Sequence, residues 1–128
     1  MKKIITLALT ALLALSCLFT FAACGRSDSI TIAIPDATNE GRALLLLQNN
    51  GIIKLADGAG ITATIRDIAE NPHEIQFQEV EAAQIPNVLA DVDYAIINSN
   101  YAIDAGINPI EESLTIEGSY SAYGNILV

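Results

Sequence analysis

Three short runs set the strongest limit on what this chain can fold into: ITIAI at 30–34, EIQFQEV at 74–80 and YAIIN at 94–98. The first and third are continuous apolar runs rich in β-branched residues, so they read as buried strands. The second alternates Ile75 and Phe77 with Gln76 and Gln78, the period of a strand covered on one face. Helical stretches separate them. Residues 39–50 predict a helix, with Thr38 or Asn39 as N-cap and Gly51 closing it. TIRDIAENP, 64–72, predicts a short helix capped by Thr64, with Asp67 at its third position and Pro72 ending it. EAAQIPNVLAD, 81–91, is helical in composition, with Pro86 opening its main body, and SNYAIDAG is a short helix closed by Gly106. GIIKLADGAGI reads as turns at Gly51, Gly58 and Gly60, while ESLTIEG and YGNILV supply two last strand-like pieces. Strands alternating with helices imply an α/β domain with a largely parallel sheet flanked by helices.

In open sheets of this kind, ligands bind outside the carboxyl ends of the strands. Polar residues gather there: Asp36 to Arg42 after the first strand, and Asn98, Ser99 and Asn100 at the end of YAIIN. Tyr123 and Asn125 open the final strand-like piece. Each group alone is an ordinary turn or cap. Arg42 is harder to explain. It stands in the first turn of a helix, where the backbone dipole disfavours a cation by a few tenths to about 1 kcal/mol. Cations are also scarce, with 6 Lys and Arg against 15 Asp and Glu and a net charge of −9. Arg42 is either a surface residue paired with Glu40 or Asp36, or a residue waiting for an anion at a cleft. The backbone N–H groups of a helix start and a guanidinium both suit a carboxylate.

The first 24 residues, MKKIITLALTALLALSCLFTFAAC, stand apart from the fold. Lys2 and Lys3 precede an uncharged run from Ile4 to Ala23, and small residues lead into Cys24. That is the layout of a secretory signal. Its end resembles the lipobox of bacterial lipoproteins, in which the cysteine is lipidated and becomes the first residue of the mature protein. The reading is a signal peptide at 1–23, a lipidated tether at 24–29 and an α/β lobe at 30–128. An uncleaved anchor is the alternative, since the uncharged run is just long enough to span a bilayer. Either way the remainder is expected outside the cytoplasmic membrane, held at the cell membrane on its extracytoplasmic face. All 15 acidic residues follow Cys24, against the cations Arg26, Arg42, Lys54 and Arg66. Such a surface repels nucleic acid and anionic headgroups. Cys17 leaves with the signal and Cys24 takes lipid, so no disulfide is expected.

Nothing in the chain points to an enzyme. His73 is the single histidine and follows ENP, a solvated loop position, so no zinc site or other metal is implied. Glu111–Glu112 and Asp91/Asp93 read as exposed caps and turns. No serine sits in a Gly-x-Ser-x-Gly elbow, and no P-loop occurs. GAGITA at 58–63 fits only the looser form of a dinucleotide motif. No cofactor is expected.

Four blocks in order, IAIPDATNEGRALLLLQNNGIIKL, DIAENPHEIQFQEVEAAQIP, DVDYAIINSNYAIDAGINP and SAYGNILV, resemble the NlpA-type lipoproteins, the methionine-binding components of bacterial ABC importers. The resemblance implies one lobe of a two-lobed, type II clamshell of the periplasmic-binding-protein kind. It implies methionine as ligand, an importer permease as partner and membrane attachment through lipid. It also implies that Arg42 grips the ligand carboxylate and that Asn98 and Asn125 contact the amino-acid end. The family's first lobe would lie before ITIAI, where GRSDS stands here, so a truncated and impaired form is the expectation. A non-transporting remnant lipoprotein is the alternative.

Overall fold

The computed structural model describes residues 29–118 and 124–128. The signal, Cys24 and Tyr123 lie outside the described residues. Five strands form the main sheet, in the order β4-β1-β5-β7-β6: β1 (Thr31–Pro35), β4 (Gln76–Val80), β5 (Tyr94–Asn98), β6 (Thr115–Ile116) and β7 (Asn125–Leu127). β4, β1 and β5 run parallel, and β7 is antiparallel to both β5 and β6. Among the described residues four strands therefore point one way and β7 opposes them, the largely parallel sheet expected.

Alternation along each strand builds two cores. Ile32 and Ile34 of β1, Ile96 of β5 and Leu127 of β7 face one way and pack on helix α1 (Glu40–Asn49), whose Ala43, Leu44, Leu46 and Leu47 are buried. Ala33, Ala95, Ile97 and Ile126 face the other way, onto Ile85 and Ala102. Ile85 belongs to a 3₁₀ segment, Ala82–Val88, and Ala102 to α2 (Ser99–Asp104). Each fully buried Leu or Ile side chain contributes about 1.5–3 kcal/mol. The sheet is thus covered on both faces, and its inner strands read as continuous apolar runs.

α1 ends as Gly51 foretold. Gly51 has φ 71°, its N–H donates to the Gln48 carbonyl at 2.9 Å, and Ile52 N–H donates to the Leu47 carbonyl at 3.0 Å. Those paired bonds are a Schellman closure. At the other end Asn39 occupies the N-cap position, but its side chain makes no capping bond.

Other local expectations need correction. Residues 64–72 do not form a helix: a 3₁₀ turn, Ile65–Asp67, leads straight into strand β3, Ile68–Glu70. β3 pairs antiparallel with Lys54–Leu55, strand β2, inside the stretch read as turns. The cap itself is as expected, because the Asp67 carboxylate accepts from the Thr64 N–H at 2.8 Å and hydroxyl at 3.0 Å. Within 81–91 the helix is Ala82–Val88 and is 3₁₀ rather than α. Pro86 lies inside it, has no N–H to donate and obstructs an α-helical ladder. β4 starts at Gln76 rather than at residue 74. Asn71 bonds both the Ile75 N–H and its carbonyl, and Glu74 takes φ 51°, so a tight turn precedes the strand.

Candidate functional site

The connection from β1 runs through α1 to β4 on one side, while the chain returns across the opposite face to β5 on the other side. The strand order therefore reverses between β1 and β5, and sheets of this kind bind ligands outside the carboxyl ends of the strands at such a point. α1 starts at this end of the sheet, with Arg42 in its first turn. Asn98 closes β5, and Asn125 opens β7 directly opposite it in register. Residues two apart on a strand share a face. Asn98 follows Ile96 by two and Asn125 precedes Leu127 by two, so both asparagines lie on the α1 side. The structure brings Arg42, Asn98 and Asn125 to one end of one face.

Their environments differ. Asn98 is buried and serves as the N-cap of α2, its Oδ1 accepting a long 3.4 Å bond from the Asn100 N–H. Ser99 N–H donates to the Gly124 carbonyl at 2.9 Å, and the Ser99 hydroxyl donates to the same oxygen. These bonds hold the ends of β5 and β7 together. Asn125 is fully buried, with 0% exposure, yet neither its Nδ2 nor its Oδ1 has a hydrogen-bond partner among the described residues. A buried amide left without partners costs about 1–3 kcal/mol. Nearly all buried polar groups in native proteins are satisfied, so such a group needs an explanation.

Among the described residues Arg42 reaches a distant acid. Its Nε and Nη2 donate to Glu117, at 3.3 Å and 2.7 Å, across 75 residues of sequence. Oε2 of Glu117 also accepts from the Asn125 backbone N–H at 3.0 Å. Glu40 instead turns inward: its carboxylate accepts from the Ile65 N–H at 2.7 Å. Beside it, a Cβ on Gly41 would lie 2.1 Å from the Ile61 carbonyl oxygen, so only glycine lets the first helical turn approach that backbone so closely. Glu40 and Gly41 clamp the helix start against residues 61–65, and Arg42 is carried on that clamp. Sequence reasoning missed Glu117 as a partner. An arginine at a helix start calls for an acid, but nothing along the chain singles out one of 15.

The architecture is that of one lobe of a solute-binding clamshell of the periplasmic-binding-protein type. The chain belongs to the NlpA lipoprotein family, whose profile matches residues 27–128. Lipoprotein 28 of Escherichia coli K12 is 48% identical over 104 residues, which are 79% of this chain and 38% of that protein. The D-methionine-binding lipoprotein MetQ of the same organism is 42% identical over 104 residues, again 79% of this chain and 38% of the relative. A solved nutrient-binding protein from Burkholderia cenocepacia, bound to methionine, matches with TM-score 0.71 and 47% identity. That match covers 78% of this chain and 43% of the solved one, so the chain spans about two fifths of the length of such relatives. These relatives are binding proteins and lipoproteins, not enzymes. Among the described residues no helix is long and apolar enough to cross a membrane.

Proposed function

We propose that the chain supplies one lobe of a lipid-anchored solute-binding component of an ABC importer for methionine. Arg42 receives the ligand carboxylate, and Asn98 and Asn125 address the amino-acid end. The observation that carries this reading is the Asn125 amide, buried and unpartnered among the described residues and set opposite Asn98 on the face that carries Arg42. An amino-acid head group offers the donors and acceptors such an amide lacks. The names of the relatives, and the methionine in one of them, point the same way.

These residues hold the head of the ligand and not its thioether tail, whose full burial contributes about 1.5–3 kcal/mol. A ligand held by these three residues alone is therefore held weakly, by roughly tenfold for each 1.4 kcal/mol not realised. Saturation-transfer NMR detects weak ligands and reports which end is held. Stronger transfer to the methionine α-proton than to the S-methyl group is expected, together with its loss in Arg42→Ala. Transfer centred on the S-methyl group, unchanged by that substitution, would contradict the assignment.

Cys24 carries the anchor in this reading, and residues 1–23 are its signal. Stable attachment takes more than one acyl chain, since a single chain binds a membrane only marginally. Mass spectrometry of membrane-extracted protein is expected to show a lipidated Cys24 as the first residue, and Cys24→Ala to block the modification. An unmodified Cys24 in that fraction would exclude the anchor.

A further inference from the structure

We propose that Glu117 is a positioning residue of this site, a strut that aims Arg42 and ties it to Asn125. The proposal rests on the assignment of Arg42 and Asn125 to the polar head of methionine. An arginine side chain is long and flexible, and the Arg42 side chain, 28% exposed, keeps part of its surface at the solvent. The Glu117 carboxylate restricts it by accepting from Nε and Nη2 together. A guanidinium presents a rigid fork, and its Nε–Nη2 edge is distinct from the edge formed by Nη1 and Nη2. Gripping the first edge fixes the plane in which the second can meet a ligand carboxylate.

Glu117 could instead be a stand-in for the ligand, displaced when methionine arrives. Its other bonds argue against that. The Glu117 N–H donates to the Asn125 carbonyl at 2.8 Å, while Oε2 accepts from the Asn125 N–H at 3.0 Å. Glu117 is therefore tied to Asn125 by main chain and side chain at once. Removing its carboxylate from Arg42 would leave three donors without that acceptor. One residue thus sets the spacing between two groups that must meet the same head group, which lowers the ordering cost of binding.

The test uses the full 128-residue chain in detergent micelles. Without ligand, the Arg42 Nε–H signal in ¹⁵N NMR is expected to exchange slowly with water. It should exchange about tenfold faster in Glu117→Ala, the scale of one lost charge-assisted hydrogen bond. Glu117→Gln, which keeps shape and neutral acceptor capacity, should fall between, with core amides such as Ile96 unmoved. Exchange that is the same in all three proteins would overturn the strut. With ligand, shift titrations compare methionine with methioninol, which lacks the carboxylate. Glu117→Ala should weaken methionine about tenfold and methioninol much less, because most of the strut's effect passes through Arg42 to the ligand carboxylate. Equal loss for both, or tighter methionine binding, would overturn it. Failure of the underlying site assignment has a different signature: Arg42→Ala would then leave methionine binding untouched whatever Glu117 does.

Discussion

Two ion pairs of equal length behave differently. Arg42–Glu117 and Lys54–Glu70 both close at 2.7 Å. The first joins the start of α1 to the β6–β7 end of the sheet, with both side chains 28% exposed. The second bridges the β2–β3 hairpin, 16 residues apart, with side chains 60% and 63% exposed. In the hairpin a flexible ammonium meets one carboxylate oxygen in water, where screening and side-chain entropy offset most of the attraction. At the strand ends a planar guanidinium engages both oxygens, and one of those also binds the backbone of β7. The distance is shared; the anchoring is not. An ion pair shapes a site when each partner is held by something besides the other.

The largest effect is expected beneath the anchored pair. Gly41→Ala forces a Cβ into the Ile61 carbonyl, and backbone cannot yield as a side-chain tip can. Overpacking of this kind costs about 1–3 kcal/mol, visible as a lower midpoint in urea unfolding. A wild-type midpoint would show that the helix start is not clamped. Next comes Glu40→Ala, which leaves the half-buried Ile65 N–H without its acceptor and should cost about 1–2 kcal/mol in the same measurement.

A double-mutant cycle on each ion pair sharpens the contrast. Arg42→Ala with Glu117→Ala should show a coupling of about 1 kcal/mol that persists in raised salt. Lys54→Ala with Glu70→Ala should show a smaller coupling that salt abolishes. Equal couplings would remove the distinction drawn above.

The smallest effects are pH-dependent. The hydrogen bond from Lys54 to Glu70, then the attraction between their charges, raises the Lys54 pKa above its ordinary value. Its contribution is complete below the ordinary lysine range and is lost as pH rises through the folded value. Asp67 runs the other way. The Thr64 backbone N–H, then its hydroxyl, hold the Asp67 pKa below the usual carboxylate value. That contribution is complete above the unfolded value and is lost as pH falls through the folded one. Asp67→Asn should flatten the acid limb of a thermal-stability profile and spare the alkaline limb, whereas Lys54→Ala should flatten the alkaline limb. An alkaline limb changed by Asp67→Asn, or left unchanged by Lys54→Ala, would refute the local geometry.

The strands and α1 were legible because their signals are local. β-branched runs mark β1 and β5, alternation marks β4, and a glycine with positive φ marks the end of α1. Arg42 could be singled out because its charge opposes the helix dipole, and Asn98 because it ends an apolar run. The β2–β3 hairpin was not legible. Its strands are two and three residues long, too short for a period to show, and its pairing depends on tertiary contact. The 3₁₀ course of residues 82–88 was hidden because composition favours a helix while Pro86 decides which kind. Glu117 escaped altogether, since only the fold brings it beside Arg42 from 75 residues away. Likewise, no sequence feature says that Glu40 turns to the Ile65 N–H while Arg42, two residues on, reaches Glu117.

The central claim is that Arg42, Asn98 and Asn125 form a polar half-site for an amino-acid head group. The most direct measurement follows the side-chain amide signals of both asparagines by ¹⁵N NMR while methionine is added to the full chain. The Asn125 NH₂ pair should move most, because its amide has no protein partner among the described residues. Asn98 should follow, and Arg42→Ala should suppress both shifts. Asn125 signals that stay fixed at saturating methionine, or that move equally with Arg42→Ala, would contradict the account.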